Sequence, residues 1–310
     1  MFLIIPGSLI LGFLYSEPLS RFIGTVPYLF AFVTLTMALG CGVEQLRLVA
    51  SRPLPMLWTL TIAHLLLPLI AYAGGSAIFG AGSPYVIGLV LFTLIPLGVS
   101  SVIWVGLSGG SIPLMLSLVV LDSILSPFVV PAGIQLAFGQ GIEVNTFSIM
   151  TDLALIVVIP TVIGVLLHQL SKGRIGQAVK PVTAPISKLC FVSVVALNAS
   201  AIAPHVAALQ ADMIKIVPVV IVLVGLCYAA GFAGAVPLRS MEMLTTVSYA
   251  TGMRNISLGI VLALGYFSPL TAVPVVLSIL IQQPVATLHH YVLQKIIKLK
   301  AGKPIHGQVP

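Results

Sequence analysis

Charge is what this sequence has least of. Only 7% of its 310 residues are charged, and seven of those are acidic, where a soluble domain of this size carries roughly a quarter. Such a chain cannot cover itself with solvated groups, so a soluble globular domain is excluded. Cysteine is nearly as scarce: Cys41, Cys190 and Cys227 fall in three separate apolar segments. That pattern excludes a disulfide framework and a metal cluster, and leaves them as small buried hydrophobes. No basic leader precedes the first apolar run, which starts at Met1, so a cleaved signal peptide is not expected. Nucleophile elbow, zinc-binding His-Glu-X-X-His and phosphate-cradling glycine loop are all missing, which argues against an enzyme and against nucleotide-driven work. A repeated filter motif of the kind channels use is missing too.

What is there is apolar length. Hydrophobic residues make up 59% of the chain and the mean hydropathy is +1.17. The runs are long enough for helices rather than the alternating strands of a barrel. Ten spans are expected: 1–16, 27–45, 54–79, 84–107, 112–138, 147–170, 184–203, 214–236, 243–267 and 270–294. The net charge of +7 sorts by side. Arg47, Arg52, Lys172, Arg174, Lys180, Lys188, Arg239, Lys295, Lys298, Lys300 and Lys303 collect on one side, against Arg21 and Lys215 on the other. By the positive-inside rule both termini are expected in the cytoplasm, in a multi-pass protein of the inner cell membrane. The basic excess therefore reads as topology and lipid contact, with no nucleic-acid partner. Self-association is expected to stop at a monomer or weak dimer.

One arginine breaks the pattern. Arg254 lies inside the apolar run from about Met243 to Phe267, and Asp122 is the only other fixed charge equally deep. A cation near the bilayer centre costs several kcal/mol or more unless it meets a partner, ligand or water. The ten spans divide five and five around the polar stretch Gly139–Asn145, giving repeats of about 1–138 and 147–297 within a single transmembrane domain, 1–310. An odd number of spans per half makes the halves inverted, as in many secondary carriers. The fourth span of each half is broken by small residues, at Ile95-Pro96-Leu97-Gly98-Val99-Ser100-Ser101 and at Tyr249-Ala250-Thr251-Gly252-Met253-Arg254-Asn255. Breaks free backbone groups at mid-membrane depth, tolerated only where protein or a watery cavity can satisfy them, and half-helix N-termini attract anions.

The run Pro27–Phe32 through Met37–Gly40, the Pro68 segment, the Pro96–Ser101 break and Ala250-Thr251-Gly252-Met253-Arg254-Asn255 together resemble the bile acid:sodium symporter family, over nearly the whole chain. The resemblance implies an all-α membrane protein of ten helices in a core and a panel domain, with helices four and nine crossing at unwound middles. It implies a secondary transporter of bile acids or smaller organic anions such as pantoate and keto acids, with substrate in the cleft beside the crossover. It also implies sodium sites, which transfer badly. The family's bridging acid corresponds to Ala250, a glutamine to Arg254, an asparagine to Val102 and a third-helix glutamine to His64. Ser101, Thr251 and Met253 remain compatible, the last two through their carbonyls. With side-chain oxygens gone and a fixed cation added, no resident cofactor is expected and classical sodium coupling is not.

Arg254 then has two readings: an internal substitute for the sodium charge, or a fork for the substrate carboxylate. Asp122 is expected to pair with it, or alternatively to carry a coupling proton. His64 is weighed between packing and ion coupling. Asn198, Asn255, Ser100, Ser101 and Thr251 are candidate polar contacts for substrate or freed backbone, and Gln282 and Gln283 are candidate cavity residues. His168, His289 and His290 sit at span ends and are expected at the interface. A sodium- or proton-coupled symporter of the same family and a cation/proton antiporter are the mechanistic rivals. An arsenite carrier would want a cysteine among Leu94, Ile95, Leu97 and Val99, and a non-transporting receptor on the same fold stays open. Single cysteines introduced beside Arg239 and Lys295 should be labelled from the same face of the membrane; labelling from opposite faces would break the charge-based topology.

Overall fold

The computed structural model describes residues 4–44, 47, 53–139, 145–206 and 210–301. Arg52, Glu143, Lys303 and most of the stretch 139–145 lie outside the described residues. Those described are helical throughout, with no strand among them. The helices are α1 (Ile4–Leu14), α2 (Val26–Ala38), α3 (Pro53–Phe79), α4 (Pro84–Leu94), α5 (Ser101–Ser108), α6 (Ile112–Phe138), α7 (Thr146–Ser171), α8 (Arg174–Val206), α9 (Gln210–Ala235), α10 (Met241–Gly252), α11 (Ile256–Tyr266) and α12 (Pro269–Ala301). Six helices among the described residues are long and apolar enough to cross a membrane, the six containing 53–79, 112–138, 146–171, 174–201, 212–238 and 269–299. This is a multi-pass, all-α membrane protein. In hydrocarbon every backbone N–H and C=O needs an internal partner, which leaves helices as the form for such a sequence.

The helices sort by contact into two groups. Helices α1, α2, α7 and α8 pack on one another, and α3–α6 with α9–α12 form the larger body. Close approach in the larger body uses small residues. A Cβ on Gly231 of α9 would fall 1.8 Å from Thr251 Oγ1 on α10, and one on Gly88 of α4 would fall 2.2 Å from the Thr271 carbonyl of α12.

Three prolines shape the features that matter. In α3, Pro68 has no N–H to offer, and the turns before it widen into a π segment over Ile62–Leu66. Within this segment the Leu67 N–H bonds Ile62 O. The Ala63 carbonyl is thereby left without a backbone donor, since its remaining partner in this register would be Pro68. The same device recurs in α7, where a π segment Ala154–Val158 precedes Pro160. Pro96 stands at the break between α4 and α5, where Ile95 turns its ψ to 151° and leaves the helix.

At that break the chain meets the one between α10 and α11 as a single antiparallel bridge, Leu97 against Arg254. Gly98 is required here: a Cβ would stand 2.7 Å from Arg254 O and 3.0 Å from its carbonyl carbon, both backbone atoms with no room to retreat. Gly98→Ala should therefore destabilise the protein by about 1–3 kcal/mol through overpacking. Thermal unfolding in detergent checks this, and a melting point equal to that of the parent would count against the close approach.

Candidate functional site at the crossover

The two broken segments satisfy each other's backbone. Gly98 N donates to Met253 O at 2.8 Å, and Asn255 N donates to Pro96 O at 2.8 Å. The groups left over are taken by side chains from the helices that follow. The Leu97 N–H donates to Asp122 Oδ2 on α6 at 2.7 Å. Arg254 N donates to Gln282 Oε1 on α12 at 2.8 Å, and Gln282 Nε2 returns a bond to Arg254 O at 3.3 Å. Both bridge residues are thus read by one buried polar side chain from the next long helix. Ser101 Oγ closes onto Gly98 O.

Arg254 is 2% exposed, and its guanidinium bonds carbonyls rather than a carboxylate. Nη2 donates to Ala63 O at 2.8 Å and Nη1 to Ile95 O at 3.3 Å, while Nε has no partner. Ala63 O is the carbonyl that Pro68 leaves open, and Ile95 O lies at the C-terminal end of α4. A helix C-terminus carries partial negative charge, so a cation there is favoured. The arginine staples α3, α4 and the α10–α11 break together.

The expected direct pair of Arg254 with Asp122 is not formed. Among the described residues the ion pair within 4.0 Å is His64 Nε2 with Asp122 Oδ1, at 2.6 Å. Both Asp122 oxygens are taken, one by His64 and one by Leu97 N–H. The reason is geometric: the carboxylate is nearer an orphan amide and an imidazole than the guanidinium, which finds two orphan carbonyls instead. Asp122 is 1% exposed and the His64 side chain 10%. His64 Nδ1 is buried with no partner.

Beside the crossover a cleft of about 330 Å³ opens between the two helix groups. Helices α2 and α8 contribute Phe30, Thr34, Met37, Ser187, Lys188 and Phe191; the larger body contributes Gly98, Ser100, Asn255, Ser257, Gln282 and Gln283, with Arg254 at its floor. Most of the remaining wall is aliphatic, from Val33, Val99, Val102, Ile103 and Ile279. The N-termini of α5 and α11 both meet it. The first amides of α5 are engaged in tight turn bonds, Ser101 N to Gly98 O and Val102 N to Val99 O. Asn255 gives α11 no side-chain cap, so that terminus is the more available to an anion.

Of the other residues singled out from sequence, Met253 is buried and its carbonyl takes the Gly98 amide. Thr251 is turned away from the cleft, donating to Cys227 O at 2.9 Å. Asn198 is buried on α8, off the cleft, with Nδ2 unpartnered. His289 and His290 are half-buried: His289 bonds Ser248 at 2.8 Å beside the rings of Tyr228 and Tyr249, and His290 bonds Ser108 at 2.7 Å beside Trp104. His168 holds the Leu39 carbonyl at 2.7 Å. Lys188 reads from sequence as a topology charge, and the structure places it on the cleft. The signal for His64 was present in its place four residues before Pro68.

Helix groups meeting at a cleft, with two helix breaks bridged at its floor, are an arrangement suited to a membrane transporter. The sequence profile described as "Sodium Bile acid symporter family" matches residues 27–205, and the chain belongs to that family. It is 36% identical over 294 residues to the uncharacterized protein YbaS of Bacillus subtilis (strain 168), covering 94% of this chain and 96% of that protein. It is 27% identical over 273 residues to the probable sodium/metabolite cotransporter BASS1, chloroplastic, of Oryza sativa subsp. japonica, covering 86% of this chain and 64% of that one. To the uncharacterized sodium-dependent transporter YocS of Bacillus subtilis (strain 168) it is 23% identical over 297 residues, 94% of this chain and 90% of that one.

The geometry orders two coupling energies. A double-mutant cycle on His64→Gln and Asp122→Asn should give an interaction of about 1–3 kcal/mol, as for groups in contact. The cycle pairing Asp122→Asn with Arg254→Met should give a smaller one. Unfolding midpoints of the variants decide, and the reverse order would mean the carboxylate serves the arginine after all.

Proposed function

We propose that the protein is a ten-span, inverted-repeat secondary transporter that carries a small monovalent organic anion by alternating access and does not use sodium. The observation that carries the reading is the Arg254 guanidinium lodged among the carbonyls at the floor of the cleft. Carbonyl oxygens at a helix break are the donors a sodium ion would want. Here a tethered cation already uses Ala63 O and Ile95 O, the Met253 carbonyl faces the Gly98 amide, and Ala250 and Val102 bring no oxygen. The residues present do not fit a sodium ion at that position.

The repeat reading is supported by the crossover itself. The breaks after α4 and α10 each sit in a fourth span, and α6 and α12 each send one polar side chain to the bridge residue of the adjoining break. Counting each broken pair as one span, α1–α12 give ten. The group α1, α2, α7 and α8 is the panel and the larger body the core. Both termini then lie in the cytoplasm, on the side that collects the basic residues.

The substrate reading rests on the cleft. An anionic head placed at Asn255 and Ser257 would meet the open N-terminus of α11, with Lys188 at the mouth and a largely aliphatic wall for the rest of the molecule. The volume suits a compact organic acid. Met37, near the C-terminal end of α2, puts one end of the cleft toward the basic side. On the opposite side Tyr266 of α11 donates to Asp152 of α7 at 2.6 Å, tying the two helix groups together. A cleft open on one side and tied on the other is one half of an alternating-access cycle.

Purified protein should be stabilised by at least one of pantoate, pyruvate or taurocholate to the same extent in sodium and in choline buffer, read as a shift in melting temperature. A steep sodium dependence of that shift, or of uptake into liposomes at fixed membrane potential, would overturn the sodium-free reading.

A further inference from the structure

We propose that His64 and Asp122 form a proton-binding site and that the protein moves its anion together with a proton. The inference rests on the anion reading above and names the ion that replaces sodium as the coupling partner.

The geometry leaves a place for one proton. A carboxylate only accepts hydrogen bonds, so the contact at 2.6 Å puts the hydrogen on His64 Nε2 when the pair holds a single proton. Nδ1 is then a bare lone pair, buried and without a partner. A buried basic nitrogen with nothing to bond is costly as a packing device. It becomes intelligible as a seat that is filled during part of a working cycle. A second proton makes the pair imidazolium and carboxylate.

The pair is wired to the crossover from both ends. Asp122 holds Leu97 N–H, the residue that bridges to Arg254. The residue before His64 lends its carbonyl to Arg254 Nη2. A change of charge on the pair therefore acts on the floor of the cleft through one hydrogen bond, to Leu97, and one peptide neighbour, Ala63.

Other titratable groups on the helices packed around Ile62–Leu66 do not compete for the role. Tyr85 is bonded to Asp212 at 2.6 Å, and Tyr72 packs edge-on against Phe138. Lys215 and Glu242 are exposed. Cys227 and Tyr228 are buried, and Tyr249 is bonded to Ser108 and to Ala286 O. Arg254 stays a fixed cation.

Counting charge gives the stoichiometry. With the pair holding one proton, Arg254 and Asp122 sum to zero. Adding a proton alone leaves the core positive, and adding a monovalent anion alone leaves it negative. Adding both restores zero. Moving an uncompensated charge through a low-dielectric core is expensive, so the empty and the doubly loaded carrier are the states that reorient. One proton travels with each anion, and transport is electroneutral.

The test uses the full-length protein in detergent and in liposomes. In weakly buffered solution, saturating pantoate, pyruvate or taurocholate, whichever shifts the melting temperature, should be accompanied by uptake of roughly one proton per anion bound. Its apparent affinity should rise about tenfold for each unit the pH falls, over the range where loading and protonation are linked. In His64→Gln the anion should still bind, with no proton uptake and a flat pH profile. Binding without proton uptake in the parent protein would overturn the inference and leave the anion reading standing. Failure of all three anions to bind would instead count against the anion reading. A second measurement is independent of substrate: imidazole nitrogen NMR, with His64 assigned by difference from the glutamine variant, should show a bare Nδ1 that acquires a proton as the pH is lowered. An Nδ1 that never changes state while the protein stays folded overturns the proton site whatever the anion does.

Discussion

A buried guanidinium held by two orphan carbonyls is the contact on which the centre of this molecule depends. Neither carbonyl is free by accident. Pro68 withholds the N–H that Ala63 O would have used, and the extended turn at Ile95 points its oxygen out of α4. Leaving either carbonyl unsatisfied in a water-poor core would cost about 1–3 kcal/mol, and leaving the guanidinium without them would cost more. Three separate helices are therefore fixed by one side chain, and the antiparallel bridge, the Gln282 clamp and the cleft floor are arranged around it.

Around that staple the accounting of backbone groups is close to complete. Two bonds pass directly between the breaks, one carboxylate takes Leu97 N–H, and one amide side chain takes both polar groups of Arg254. Broken helices are hazardous in a bilayer because they expose peptide groups. Here each break serves as the other's partner, and only the residues at the bridge need outside help. Gly98 makes the approach close enough for this to work.

Much of this was legible before any coordinates. Scarce charge and long apolar runs dictate a helical membrane protein, and the breaks around Gly98 and Gly252 fall where the helices are interrupted. Arg254 and Asp122 stand out as the deep charges because the rest of the run around each is apolar. What sequence could not supply was the pairing. Opposite charges at similar depth suggest a salt bridge, but which donor reaches Asp122 depends on helix rotation, and rotation is set by packing that no periodicity reveals. The partner turned out to be His64, while the arginine answered an absence, the missing N–H of Pro68. Lys188 and Phe191 are not legible as cleft residues for the same reason, since they belong to a helix whose cleft-facing side is fixed by the helices packed against it, α1 and α2 foremost.

Pro68 and Arg254 also meet at one oxygen without touching. The proline supplies the vacancy and the arginine fills it, so the Ala63 carbonyl is an address written by one residue and read by another almost two hundred positions away in the chain. A backbone defect in one helix has become the recognition signal for a side chain from the opposite half of the molecule.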